Sequence, residues 1–231
     1  MKTLLHLLRF DMLLMARNKV FVVSAAVTFI YILLFRWLSG FMPAEKVLVL
    51  VIFHDPALLG FLFAGVLMLM ESNENTLIAL KVSPISLTQY IFSKTIWLSI
   101  ISLICSLSMV IATKGMDFLI LHFCLSVLLS TSLFAFAGFY LAGGVSNFNT
   151  YMLRALGGIL ILSLPFLGYF EIGKMEWYFL IPTSSCIVIL DHSLNMNHSI
   201  TELIFHYSLL SLWMIAAFRL TRIGLQKISL A

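Results

Sequence analysis

Apolar runs of about eighteen residues or more recur along this sequence, and they limit its fold more than any other feature. A helix rises about 1.5 Å per residue, so each run is long enough to cross a bilayer core of roughly 30 Å. Six runs lie at about 20–38, 47–70, 91–112, 118–143, 153–170 and 203–220. Of 231 residues, 61% are hydrophobic and 10% charged, which excludes an ordinary soluble domain and leaves no room for a soluble catalytic one. The expectation is an all-α integral membrane protein whose 231 residues form a single transmembrane domain.

Six spans place both termini on one side, and the distribution of Lys and Arg says which. Lys2, Arg9, Arg17, Lys19, Lys81, Lys94, Arg154, Arg219, Arg222 and Lys227 share one side, against Arg36, Lys46, Lys114 and Lys174 on the other. The excess favours a multi-pass protein of the inner (cytoplasmic) membrane with both termini in the cytoplasm. The basic residues are scattered singly, so the net charge of +4 reflects topology and not a nucleic-acid footprint. His6, Arg9 and Asp11 interrupt the first apolar residues, which excludes a cleavable signal peptide. Cys105, Cys124 and Cys186 show no paired spacing and read as buried thiols.

Residues 1–18 predict a helix too polar to span. Lys2, His6, Arg9 and Arg17 share an arc with Leu13, and Leu4, Leu7, Leu8, Leu14 and Met15 fill the opposite side. This is the pattern of an interfacial helix. Asp11 falls on its apolar face, where it either snorkels to headgroups or pairs with a basic residue of a neighbouring helix.

The second run carries His54-Asp55-Pro56, which predicts a kink or a partly re-entrant segment. An Asp beside a His inside a span is a functional candidate; alternatively Asp55 caps a helix that begins at Pro56. Ala57, Gly60 and Ala64, and later Ala135, Gly138 and Ala142, have the spacing of close helix packing. Asp117 is a plausible cap for the fourth span, and Gly157, Gly158 and Pro165 make the fifth pliable.

Residues 71–90 form the longest polar interruption on the cytoplasmic side: a short amphipathic helix, a Ser83-Pro84 break, then the capping box Ser86-Leu-Thr-Gln89 that opens the third span. On the other side, residues 171–202 hold two apolar pieces too short to cross, Trp177 to Ile181 and Cys186 to Leu190. A helical hairpin dipping into the outer leaflet would shelter them, giving a re-entrant outer segment before the last span. Asp191, His192 and His198 match no metal-ligand spacing and read as surface residues, so no metal is expected. Ser199-Ile-Thr-Glu202 is a second capping box.

Motifs for chemistry are missing. The sequence has no phosphate loop, no nucleophile elbow and no His-Glu-x-x-His, and the spans hold almost no charge besides Asp55 to serve ion-coupled transport. If the chain transports, the driving chemistry belongs to another polypeptide.

Glu71, the run Asn75-Thr76-Leu77-Ile78-Ala79-Leu80, Ser83-Pro84-Ile85-Ser86 and Lys94 resemble the glutamate, Gly-Thr-Leu-Glu-x-Leu, Ser-Pro-Ile/Leu and lysine series of type-2 ABC exporter permeases. Asn75 stands where glycine is usual and Ala79 where a second glutamate often lies. Asp55-Pro56-Ala57-Leu58-Leu59-Gly60, with Phe63 and Gly65, is similar to fluoroquinolone or multidrug export permeases. The resemblance spans nearly the whole chain in topology and about 40 residues in motif.

It implies a non-catalytic permease subunit of an ATP-driven exporter that moves a lipophilic or amphipathic substrate out of the cytoplasm or inner leaflet. Residues 71–90 would be the coupling segment, with Leu77 and Leu80 as an apolar ridge, Glu71, Glu74 and Lys81 as a charged rim, Thr76 and Ser83 beside them, and Pro84 as a stiff joint. The chain itself would carry no cofactor. ATP and Mg would bind the two copies of a partner ATPase, and the permease would pair with a second copy of itself or with a sister permease. The alternatives are a self-contained secondary transporter, an integral-membrane enzyme using His54-Asp55 or the outer histidines, and, within the ABC class, an antimicrobial-peptide immunity exporter.

Overall fold

The computed structural model describes residues 2–38, 44–74, 76, 85–145 and 147–230, and among them every regular element is helical. In chain order these are α1 (Lys2–Arg17), α2 (Val20–Leu38), α3 (Ala44–Pro56), a π-helical stretch (Ala57–Phe63), α4 (Ala64–Asn73), α5 (Leu87–Lys114), α6 (Ile120–Ala142), α7 (Phe148–Ser163), α8 (Pro165–Tyr169), α9 (Pro182–Asn195) and α10 (Ile200–Leu230). Six helical segments are long and apolar enough to cross a membrane: Val20–Trp37, Ala44–Asn73, Leu87–Lys114, Ile120–Ala142, Phe148–Tyr169 and Ile200–Gln226. All six expected spans are present, most of them longer than their apolar runs because helix continues through the flanking polar residues.

The second span is the core of the bundle. In its most apolar window 76% of residues are buried, against 17% for the first span and 11% for the last, so α2 and α10 form the flanks. The second span packs against α5 and α6, and α6 in turn packs against α9 and α10.

Proline sets the shape of the central span. Pro56 offers no N–H and its ring crowds the preceding turn. The helix answers by widening into a π-helical stretch from Ala57 and tightening again at Ala64. It neither stops nor restarts at Pro56, so Asp55 is not a helix cap. The carbonyls loosened by the wide turns are taken up from outside: Tyr151 of α7 donates its hydroxyl hydrogen to Phe61 O. The small residues let α6 reach this stretch. A Cβ on Gly60 would lie 2.6 Å from Thr131 O, and one on Gly138 would press into Phe61 O.

Local signals account for the ends. At Ser86 both capping-box bonds form: Gln89 N–H to Ser86 Oγ at 3.2 Å and Ser86 N–H to Gln89 Oε1 at 3.0 Å. The box at Ser199 and Glu202 closes in the same way. Asp117 does not cap α6, which starts from Leu119 with no side-chain bond at its N-terminus; Leu119 N–H instead donates to Ser193 O of α9. Pro165 takes the favoured first position of α8, restarting the helix after α7.

Between α8 and α10, a 3-10 turn (Met175–Tyr178) leads into α9, which is buried along nearly its whole length. Its buried polar groups are satisfied within the bundle: Thr183 Oγ1 donates to Leu162 O at 2.5 Å, and Ser193 Oγ to Leu190 O at 2.6 Å.

Candidate functional site

A buried charge cluster joins three helices where α4 ends and α5 begins. Asp11 lies midway along α1, on a stripe with Leu7 and Met15 at four-residue spacing, and all three are buried. Glu71 sits on the last turn of α4, and Tyr90, Ser93 and Lys94 on the first turns of α5. Lys94 Nζ reaches Asp11 Oδ1 at 2.9 Å and Glu71 Oε1 at 2.6 Å. The second oxygens are filled too: Ser93 Oγ donates to Asp11 Oδ2, and Tyr90 OH to Glu71 Oε2 at 2.6 Å. The Tyr90 ring lies 4.9 Å from the ammonium, close enough for a cation–π contact. Trp97 Nε1 adds a bond to Leu8 O at 2.9 Å, a second tie between α5 and α1.

Two carboxylates and an ammonium shut away from water are tolerable because every carboxylate oxygen has a donor. The arrangement is a clamp. It fixes the last turn of the second span to the first turns of the third, with α1 bound to the same ammonium. It contains no nucleophile or general base poised toward a cleft, and it has no orphaned donor or acceptor awaiting substrate.

Asp11 therefore pairs with a lysine of a neighbouring helix and does not snorkel. Glu71 requires a correction: it is buried and committed to Lys94 and Tyr90, so it is not part of an exposed charged rim. Glu74 is exposed and Thr76 half-buried, while Leu77, Leu80, Lys81, Ser83 and Pro84 lie outside the described residues. Arg9 and Arg17 are exposed on α1. Lys94, Tyr90 and Ser93 are the cluster members that sequence reasoning did not join to Asp11. The available signal was a carboxylate on an apolar helix face, which demands a cation from elsewhere.

A profile of the fluoroquinolones export permease protein family matches residues 2–228. The chain belongs to that family. No curated protein matches it. Family membership makes this a multi-pass export permease and agrees with a non-catalytic transport subunit.

The permease's second polar feature lies in α3, apart from the clamp. Asp55 is fully buried and faces Ser106 and Ser102 of α5. His54 does not join it. Its Nδ1 is 2.7 Å from Leu50 O and its ring packs against Phe53 and Phe166.

The third feature ties α9 to the start of α10. Asp191 Oδ1 accepts from Tyr169 OH at 2.6 Å and from Asn195 Nδ2 at 2.9 Å, and Oδ2 lies 3.2 Å from His198 Nε2. Asp191 is buried and His192 and His198 are half-buried, so the expectation of surface residues fails: α9 packs into the bundle and carries Asp191 with it. Among the described residues no group of His, Cys, Asp and Glu side chains could hold a metal ion.

The hydrogen bond to Asp191 holds His198 above the ordinary histidine value. Burial works to raise Asp191, but the bonds from His198, Tyr169 and Asn195 outweigh it and leave the acid below its ordinary value. A raised histidine contributes stability that is complete below about pH 6.5 and fades as pH climbs through its folded value. A depressed aspartate contributes above about pH 3.9 and fades as pH falls through its own folded value. The pair should therefore stabilise most between about pH 4 and pH 6.5. Thermal unfolding checks this. The midpoint difference between wild type and His198→Ala should be larger at about pH 5.5 than at about pH 8; an equal difference at both would remove the ion pair from the account.

Proposed function

We propose that this permease is the membrane subunit of an ATP-driven ABC exporter, moved by a separate ATPase that docks on residues 71–90. The observation that carries the reading is the Lys94 clamp. Force applied to the segment between Glu71 and Lys94 enters two spans that are locked together at their bases, and α1 with them. A push there moves a rigid unit and is not lost in loop flexing, which is what a coupling segment must achieve. The absence of a phosphate loop from the sequence assigns ATP and Mg to the partner.

In this reading the bases of α4 and α5 face the cytoplasm, in keeping with the excess of Lys and Arg on that side, and both termini are cytoplasmic. The helix α1 lies in the cytoplasmic interface: Leu5, Phe10, Met12 and Leu13 stay exposed as a lipid-facing surface while Asp11 turns inward. The buried helix α9 with the turn before it forms the re-entrant outer segment, sheltered from lipid by protein as its backbone requires. Two such permeases, identical or sister chains, pair with two ATPase subunits, and the cargo is a lipophilic or amphipathic drug of the kind the family description names.

The docking residues are Leu77 and Leu80, with Glu74, Thr76, Lys81, Ser83 and Pro84 around them. Leu77→Asp combined with Leu80→Asp should cut co-purified ATPase by about tenfold or more, equivalent to about 1.4 kcal/mol, and abolish export. The chain should still insert and fold, because the clamp residues Asp11, Glu71, Tyr90, Ser93 and Lys94 are left unchanged. Survival of both ATPase recovery and export in that variant would refute the docking.

A further inference from the structure

Asp55 is the buried acid for which the coupling reading has no use. Its two oxygens are treated unequally. Oδ2 lies 3.2 Å from Ser106 Oγ and 3.5 Å from Ser102 Oγ, and Oδ1 is buried with no hydrogen-bond partner. Among the described residues Asp55 makes no ion pair. The titratable groups that feel it are Tyr31 of α2 and Cys105 of α5, a phenol and a thiol that carry no positive charge in any state. Neither α6 nor α9 brings a charged side chain to it among the described residues, and on its own helix His54 is turned to Leu50 O.

Asp11 and Glu71 provide the contrast within the same molecule. Each receives an ammonium and a short hydroxyl bond, as a charged carboxylate in a dry interior requires. A charged Asp55 would have two hydroxyls, one of them at the limit of bonding distance, and a bare oxygen in the middle of a span, an unfavourable state for a charge away from water. The neutral acid fits as it stands. With the proton on Oδ2, the acid donates to Ser106 Oγ, and Oδ1 becomes a carbonyl-type oxygen, the kind of polar atom most readily left unpaired.

We infer that Asp55, with Ser106 and Ser102, is a proton-binding site inside the membrane-spanning bundle, occupied at neutral pH while α3 and α5 are packed together. The proton comes from hydronium in the solvent: one O–H bond forms on the acid as one O–H bond of hydronium breaks, leaving water. Water or a cation entering between α3 and α5 would convert the site to a carboxylate, so proton release reports their separation. The site stands whether or not an ATPase drives the permease.

Infrared spectroscopy of the full-length chain in lipid nanodiscs tests this at about pH 7, where an ordinary aspartate is ionised. Wild type should show the C=O stretch of a protonated carboxylic acid; Asp55→Asn should lose it, and Ser106→Ala, which keeps the acid but removes its partner, should shift it. Adding sodium ions should leave the band unchanged. The same spectrum from wild type and Asp55→Asn in this region would overturn the inference. A band that vanishes on adding sodium would also overturn it, making the pocket a metal-cation site. If Asp55→Asn fails to fold, the Ser106→Ala spectrum decides: an unshifted band belongs to another acid, and the inference falls.

Discussion

Lys94→Met should destabilise the permease by about 3–5 kcal/mol, the usual cost of removing one partner from a buried ion pair. Methionine matches the length of the lysine stem, so packing changes little and the loss is electrostatic. Asp11 and Glu71 would face one another in a dry slot with only Ser93 and Tyr90 left to them. The nearest relief is to expel α1, which carries Asp11. Trypsin reads that movement: Arg9 and Arg17 are exposed but sit in a docked helix, and cleavage at them should speed up sharply in the variant. Adding Asp11→Asn and Glu71→Gln to Lys94→Met removes both stranded charges and should restore much of the stability. Thermal unfolding of the single and triple variants measures both parts. If the triple variant is no better than the single one, the lysine acts through shape and not through charge.

Gly138→Ala should be the second severe change, for a reason that no neighbouring side chain can relieve. The added methyl would be driven into the backbone at Phe61, whose carbonyl, Cα and carbonyl carbon all lie in its path. Overpacking of this kind costs about 1–3 kcal/mol where side chains can give way, and backbone cannot give way so easily. Gly65→Ala is the control. Its methyl would collide with the Tyr151 ring, a side chain, so trimming Tyr151 should recover part of the loss. Trimming side chains around Gly138 should recover nothing. The yield of monodisperse protein and the unfolding midpoint separate the cases, and equal rescue at both positions would contradict the π-helical contact with α6.

The local parts of this fold were readable because local physics sets them. Ser86 and Glu202 form their capping boxes because the partners are three residues away and no distant element can intervene. Asp117 looked like an equally good cap, but α9 supplies Ser193 O to the backbone N–H of Leu119 and α6 begins there instead. The clamp was half legible. Asp11 on an apolar face predicts a cationic partner but not which one, since Lys94 is 83 residues away in the chain. A carboxylate next to a polar segment looks solvent-facing, but Glu71 lies on the last turn of α4, which runs on to Asn73 and turns it inward to Lys94 and Tyr90.

The sequence by itself determined that the chain carries six segments long and apolar enough to cross a membrane, where they lie and which polar stretch connects the second to the third. Run length and apolar composition are one-dimensional quantities, and a bilayer selects segments by them directly. Only the tertiary structure decided that Pro56 widens the helix and does not end it, that α9 is interior, and that Asp11, Glu71 and Lys94 meet while Asp55 meets no cation. Those outcomes depend on which helix faces lie opposite each other, and buried charge is settled only when the opposing face is known.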